Sequence, residues 1–155
     1  MQLRFYDDTY EELVANYCLS ARKLRYVREP KIVVALAKKD PNRHAILVVE
    51  NEQLVAFFTL YQANGGSSYS NNKNNLLLQD FSTDYRHLRN GYAKQAVHLL
   101  PSFIRKHFST VDQLTIIVNE DKLYTDSLRR QAGFKTVENS LPTIYGSQVF
   151  IQIPI

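Results

Sequence analysis

The sequence contains a single cysteine, Cys18, and no long apolar run. One cysteine excludes an internal disulfide and a zinc site built from several cysteines, and we predict that Cys18 is a buried structural thiol in the first helix. The apolar runs fall far short of the roughly 20 residues that a membrane-spanning helix needs. The opening residues, MQLRFYDDTYEE, carry acidic side chains where a signal peptide would be apolar. These absences predict a cytoplasmic protein without a membrane segment.

Acidic residues are fewer than basic ones, since 15 Asp and Glu stand against 19 Lys and Arg and give a formal net charge of +4 at pH 7. A basic surface attracts phosphates and carboxylates, so coenzyme A, nucleic acid and acidic protein are all compatible partners. The basic residues are densest from Arg22 to Lys31, where Tyr26 is the only aromatic residue and no nucleic-acid motif occurs. We therefore interpret this run as a solvated helix face. Of the functions considered, a nucleic-acid-associated protein has the least support.

Length and apolar content favour one globular domain over residues 1–155, because 155 residues with 45% hydrophobic content suffice for one sizeable core and not for two. Hydrophobic periodicity and turn residues predict the element order βααβββαβαββ. Strands are expected at 2–7, 45–50, 54–61, 76–84, 114–118, 134–138 and 148–153, and helices at 9–20, from Pro30 up to the stop at 40–42, at 93–108 and at 124–132. The second helix is expected to have one apolar face, made of Ile32, Val33, Leu36 and Ala37, and the third to face inward with Ala96, Val97, Leu100 and Ile104. The Gly-, Ser- and Asn-rich stretch 63–75 predicts a long mobile loop.

The segment DYRHLRNGYAKQAV, residues 84–97, joins a predicted strand to a predicted helix. Exposed N–H groups and the helix dipole bind phosphate at such a junction. Gly91 permits a tight turn, Ala93 keeps a nearby position small, and Arg89 and Lys94 add positive charge. Taken alone, one glycine before a helix more often marks a structural turn. Neither G-x-G-x-x-G nor G-x-x-x-x-G-K-[ST] is present, so dinucleotide and nucleoside-triphosphate binding have no support.

Together with its neighbours, this segment resembles the GNAT superfamily of N-acetyltransferases. Residues 88–93, LRNGYA, resemble the family's Q/R-x-x-G-x-G/A loop, with Leu88 where Gln or Arg is usual. Residues 122–134, KLYTDSLRRQAGF, resemble the later helix N-x-x-A-x-x-L-Y-x-x-x-G-F at its Leu, Gly and Phe positions. The runs DFSTDY, LLPSFIRKHF and VNEDK resemble small bacterial members, and the likeness extends from the first strand to the last.

The resemblance implies an α/β fold with a central, mostly antiparallel mixed sheet of six to seven strands, a splayed fourth and fifth strand, and about four flanking helices. It implies acetyl-CoA as the acyl donor and cosubstrate. The implied coenzyme contacts are Phe81, Ser82 and Thr83 for the pantetheine arm, then Leu88, Arg89, Asn90, Gly91, Tyr92, Ala93 and Lys94 for the pyrophosphate, with Asn119 and Arg129 nearby.

The resemblance also implies an N-acetyltransferase that transfers the acetyl group directly to a primary amine of an unidentified small molecule, peptide or protein. Arg129 occupies the position of the family's proton-donating Tyr, and a guanidinium does not donate a proton at neutral pH. Arg129 and Tyr145 are the catalytic candidates, and a degenerate acyl-CoA-binding regulator is the alternative that Arg129 supports.

The remaining titratable residues give weaker signals. Asp80, Asp84 and Glu120 lie near the expected site, although solvated surface carboxylates explain them better than a general base. His87, in the loop, is likewise interpreted as a polar surface residue. The histidines show no metal-ligand spacing, so no metal is expected. The protein is expected to be a monomer or a homodimer.

Overall fold

The computed structural model describes residues 1–62, 72–119, 139–143 and 146–155. The strands are β1 (Gln2–Phe5), β2 (Arg43–Glu50), β3 (Gln53–Gln62), β4 (Asn75–Thr83), β5 (Gln113–Asn119), β6 (Asn139–Thr143) and β7 (Gly146–Pro154). The α-helices in these ranges are α1 (Glu11–Ala15), α2 (Pro30–Ala37) and α3 (Tyr92–His107), with single 3-10 turns at Asp8–Tyr10, Lys23–Arg25 and Tyr85–His87. None of these described helices is long and apolar enough to cross a membrane.

The strands form one seven-stranded sheet in the order β1-β2-β3-β4-β5-β7-β6. Neighbouring strands are antiparallel except for β4 and β5, which run parallel. Asn51 and Glu52 connect β2 to β3 with φ angles of 50° and 63°, a left-handed pair that suits the two-residue turn of a hairpin. The prediction of a mixed, mostly antiparallel α/β sheet is therefore confirmed.

Two layers of helix cover the two faces of this sheet. Helix α3 packs its buried side chains Ala96, Val97, Leu100 and Ile104 into the larger core cluster, together with alternating residues of β2, β3 and β4. Helices α1 and α2 pack on a second cluster that contains Val14, Val33, Leu47 and Phe57. Burial of these apolar side chains is the main term that stabilises the fold.

The inward face that periodicity predicts for α3 is confirmed, whereas the prediction for Cys18 is wrong and the one for the apolar face of α2 is wrong in part. Cys18 is not buried in a helix, because α1 ends at Ala15 and the thiol is exposed. On the predicted apolar face of α2, Val33 is buried as expected, but Ile32 and Leu36 are 47% and 37% exposed, and Val34 is buried as well. The mobile-loop prediction for 63–71 and the helix and strand predicted at 124–132 and 134–138 lie outside the described residues.

Candidate active site

Strands β4 and β5 separate at one end of the sheet. Their parallel pairing runs from Asn75 with Gln113 to Leu78 with Ile116 and is not continued beyond that pair. Strand β4 extends to Thr83 and β5 to Asn119, and β5 stays paired with β7 to its end. Strand β4 is therefore not paired with β5 from residue 79 onward within the described part of the chain, and this is the splay that the sequence resemblance implies.

A β-bulge lies in this open part of β4. The register with β3 passes from Thr59 opposite Gln79 to Phe57 opposite Ser82, so two residues of β4 face one residue of β3. Asp80 is the extra residue and has a φ of 54°, in the left-handed region that bulges use. The bulge restores Phe81 to the face that packs on α3, where its ring stacks on Phe58 with centroids 5.4 Å apart.

The bulge also determines which backbone groups face the gap between β4 and β5. Asp84 donates its N–H to the carbonyl of Val55 on β3, at 2.9 Å. Because successive residues of a strand point their N–H and C=O groups to opposite sides, the groups of Phe81 and Thr83 point away from β3 and toward the gap. Ser82 is 1% exposed, and Tyr17 donates its hydroxyl to the Ser82 carbonyl at 2.9 Å.

Asp80 is held by the segment that connects α1 to α2. Arg28 donates its Nη2 to Oδ2 of Asp80 at 2.7 Å, and its backbone N–H to Oδ1 at 3.1 Å. Thr59 lies within 3.4 Å of the same carboxylate. The Asp80 side chain is only 8% exposed, so its prediction as a solvated surface carboxylate is wrong.

Asp84 is fully buried, and its prediction as a surface carboxylate is wrong as well. Its carboxylate accepts hydrogen bonds from the backbone N–H of Cys18 at 3.0 Å, and from the backbone N–H and the guanidinium of Arg86. Burial raises the pKa of Asp84, but the hydrogen bonds from Arg86 and Cys18 outweigh it, so the pKa lies below its usual value. Asp84 therefore stays ionised at neutral pH and joins β4 to the residues that follow α1.

The N-terminus of α3 follows directly along the chain. Gly91 is the N-cap residue with a φ of 74°, and no side chain caps the helix. Arg89 also has a positive φ, 66°. No described residue accepts the N–H groups of residues 92–94, which therefore point outward from the first turn of the helix. Among the described residues, a Cβ added at Gly91 would meet only Nε2 of Gln95, at 3.9 Å, so these residues leave space beside the Gly91 backbone.

The structure places most of the predicted coenzyme residues at these two neighbouring features. Phe81, Ser82 and Thr83 form the open end of β4, and the seven residues 88–94 form the approach to α3 and its first turn. Arg89 and Lys94 are exposed, as phosphate contacts require. His87, expected as polar surface, is half-buried with its ring edge against Tyr92. Asn119 ends β5, whereas Arg129, Tyr145 and Glu120 lie outside the described residues.

Sequence reasoning missed Tyr17 and Arg28, and it missed the bulge. The residues of β4 carry a signal for the bulge, since Leu76, Leu78 and Phe81 all lie in the α3-facing core. Residues on one face of a regular strand are two apart, so the spacing of three between Leu78 and Phe81 requires one extra residue. Among the side chains that the structure describes, no group of three His, Cys, Asp or Glu is arranged to hold a metal ion.

Sequence comparison finds a relative in Bacillus subtilis (strain 168), the uncharacterized N-acetyltransferase YbbJ, which is 30% identical over 135 residues. The aligned region covers 86% of this chain and 84% of YbbJ. No protein-family profile matches the sequence.

Solved structures share the fold over 99% of this chain. The acetyltransferase AAC(6')-Ib, in complex with ribostamycin and coenzyme A, superposes with a TM-score of 0.75 at 11% identity and 92% coverage of its own chain. A GNAT-family acetyltransferase from Staphylococcus aureus Mu50 superposes with a TM-score of 0.65 at 13% identity and 98% coverage of its own chain. Likenesses at this level of identity show the fold alone.

The splayed strands β4 and β5 are a feature that the sequence resemblance implies, and the alignment with YbbJ extends along most of both chains. The chain belongs to the GNAT superfamily of N-acetyltransferases. The prediction of an N-acetyltransferase is confirmed at the level of the family.

Proposed function

We propose that this protein transfers the acetyl group of acetyl-CoA directly to the primary amine of an acceptor while both are bound. The observation that carries the proposal is the separation of β4 from β5 beyond Leu78, which is followed along the chain by the uncapped N-terminus of α3. One feature presents N–H and C=O groups in a row, and the other presents N–H groups with a positive helix dipole. Together they suit a long ligand with an amide-containing arm and a phosphate group.

For the coenzyme, we assign the pantetheine arm to the gap beside Phe81 and Thr83, and the pyrophosphate to the N–H groups of residues 89–94. Gly91 leaves room for phosphate oxygens close to the backbone, and Arg89 and Lys94 supply positive charge. The related fold of AAC(6')-Ib holds acetyl-CoA in one of its complexes, which supports this assignment. Backbone groups provide most of these contacts, so Leu88 in place of Gln or Arg is compatible with binding.

In the transfer step, the lone pair of a neutral acceptor amine forms a C–N bond with the thioester carbonyl carbon, and the C–S bond breaks. The amine nitrogen loses one proton, and the departing thiolate gains one, so the products are an acetamide and free coenzyme A. We assign stabilisation of the negative charge on the carbonyl oxygen to a backbone N–H group of β4. Asp80 and Asp84 are both engaged by arginine, so we propose that water, and neither carboxylate, accepts the proton of the amine.

The experiment has two measurements. Calorimetry with millimolar acetyl-CoA should show saturable heat, and bound acetyl-CoA should raise the melting temperature. Mass spectrometry should then find an acetylated product, with release of free thiol, for some member of a panel of polyamines, amino acids and peptide N-termini. No heat and no thermal stabilisation would contradict coenzyme binding. Binding without any acetylated product would contradict the enzyme and favour the acyl-CoA-binding regulator.

A further inference from the structure

The ion pair of Arg28 and Asp80 lies beside the open part of β4, on the face of the sheet away from α3. Asp80 is the bulge residue, and Thr59, the neighbour of its carboxylate, lies on the same face as Phe57, which packs with α1 and α2. The residues of α3 pack on the opposite face. With the coenzyme phosphates assigned to the start of α3, we take the face that carries Arg28 as the acceptor side.

The connection between α1 and α2 covers this acceptor side along the length of the open strand. Tyr17 is bonded to Ser82, the backbone of Cys18 to Asp84 and Tyr85, and Arg28 to Asp80. These contacts fix the segment against β4 at both ends. The residues between these contacts form a border beside the part of β4 to which the pantetheine arm is assigned.

The charge of this border is positive. Arg22 and Arg25 are exposed, and residues 16–28 include no acidic side chain, while the following Glu29 pairs with Lys31 at 3.3 Å. Arg28 neutralises the buried Asp80, so Asp80 does not offset the remaining cations. A polycationic acceptor would be repelled from such a border, whereas an acceptor with an acidic group would be attracted to it.

Arg28 has the geometry to bind an acidic group directly. Its Nε and Nη2 engage Asp80, while the side chain remains 39% exposed. Asp80 thereby fixes the guanidinium plane, and a pre-oriented guanidinium loses little freedom when its remaining N–H groups bind a carboxylate or phosphate.

We infer that the acceptor carries an acidic group, a carboxylate or a phosphate, near the amine that is acetylated, and that Arg28 binds this group. The inference rests on the proposed acetyl transfer and narrows its acceptor to an amine of this chemical class. Arg28 is the specificity-determining residue, and Asp80 positions it.

The test compares acceptors that differ only in the acidic group: lysine with cadaverine, and O-phosphoethanolamine with ethanolamine, each at equal concentrations of unprotonated amine. The wild-type protein should prefer the acidic member of one pair by about tenfold or more in kcat/KM, as expected for hydrogen bonds to a charged group. The pair that shows the preference distinguishes a carboxylate from a phosphate. Arg28→Gln should remove the preference mainly through KM, and Arg28→Lys should retain part of it.

Arg105→Gln is the matched control, because it removes an equal charge from an exposed residue in the last turn of α3 and should leave the preference unchanged. The affinity for acetyl-CoA should be the same in all variants. Equal or faster acetylation of cadaverine and ethanolamine by the wild type would overturn this inference and leave acetyl transfer standing. Transfer to none of the four amines, with acetyl-CoA bound, would count against both. If Arg28→Gln does not fold, the inference is tested by two measurements: the ratio of kcat/KM between the two acceptors of each pair in the wild type, and the same ratio in Arg28→Lys.

Discussion

The hydroxyl of Tyr17 lies 2.9 Å from the carbonyl oxygen of Ser82 and 2.8 Å from its Oγ. The two residues are 65 positions apart in sequence, so this contact joins the end of α1 to the open strand β4. Burial raises the pKa of Tyr17, although the hydrogen bond with Ser82 opposes the shift, so the hydroxyl keeps its proton well into the alkaline range. Tyr17 therefore acts as a permanent hydrogen-bond donor that holds β4 in place.

Tyr17→Phe should lower the free energy of unfolding by about 1 kcal/mol, because it removes a part-buried hydrogen bond and leaves the ring in place. Urea unfolding at pH 7 measures the change. Tyr10→Phe is the matched control, since the Tyr10 hydroxyl accepts a solvent-exposed hydrogen bond from Arg4, and it should change the stability by less than about 0.5 kcal/mol. Equal effects of the two substitutions would show that the contact with Ser82 does not stabilise the fold.

The buried carboxylate of Asp84 predicts a pH dependence of stability. Its folded pKa lies below the unfolded value, so the unfolded chain binds more protons as the pH falls, and the stabilisation is lost from about pH 4 downward. Asp84→Asn should cost about 2 kcal/mol at pH 7, and the difference from wild type should shrink as the pH falls below about 4.

The control for Asp84 is Asp8→Asn, because the Asp8 carboxylate is 83% exposed and pairs only at the surface with Lys38. Its effect on the unfolding free energy should be small at every pH. A difference between wild type and Asp84→Asn that is unchanged at pH 3 would show that the charge of Asp84 does not contribute.

The strands and the inward face of α3 were predictable because their apolar residues recur at a regular period. Leu100 and Ile104 are buried as their helical spacing predicts. The prediction for α2 was partly wrong because hydrophobic periodicity shows which residues share one face of a helix. It does not show how much of that face the sheet covers. The sheet buries Val33 and Val34, and Ile32 lies at the edge of the contact.

The candidate site was predictable only where a local signal exists. Gly91 before a helix is such a signal, and the structure gives Gly91 the positive φ that favours glycine. The ion pair between Arg28 and Asp80 has no local signal, because its partners are 52 positions apart in sequence. A run of basic residues looks the same in sequence whether it is fully solvated or has one member bound to a buried carboxylate.

Substitutions at Gly91 separate backbone strain from ligand access. Gly91→Ala should cost about 1 kcal/mol of stability, because a residue with a Cβ is strained at a φ of 74°, while the added Cβ itself has space. Gly91→Trp should have a similar backbone cost but should abolish acetyl-CoA binding, because the indole covers the first turn of α3. Calorimetry and urea unfolding of both variants test this. Equal affinity of the two variants for acetyl-CoA would show that the phosphates do not lie at this turn.

Cys18→Ser should leave the acetyl-transfer rate within a few-fold of wild type. The thiol is exposed, and the backbone groups of Cys18 make the contacts with Asp84 and Tyr85. The unfolding free energy should change by less than about 0.5 kcal/mol. A rate loss of about a hundredfold or more in a folded variant would indicate an acetyl-cysteine intermediate and would contradict direct transfer.

Arg129, which lies outside the described residues, is predicted to lie near the coenzyme sulfur or its phosphates because it occupies the family's Tyr position. Arg129→Ala should raise the activation free energy or weaken acetyl-CoA binding by about 2 to 4 kcal/mol, by analogy with the loss of one oxyanion-stabilising donor. Arg129→Tyr should retain or raise the rate, because it restores a proton donor for the departing thiolate.

The neighbouring Arg130 provides the control for Arg129, since in the helix that the sequence predicts successive residues would point about 100° apart and Arg130→Ala removes the same charge. Steady-state kinetics of the three variants with one acetylated acceptor decide among the outcomes. If Arg129→Ala and Arg130→Ala both behave as wild type does, Arg129 is not at the site and the match of residues 122–134 to the family's helix is wrong. If wild type acetylates no amine and Arg129→Tyr gains activity, the chain is an acyl-CoA-binding protein that has lost its proton donor.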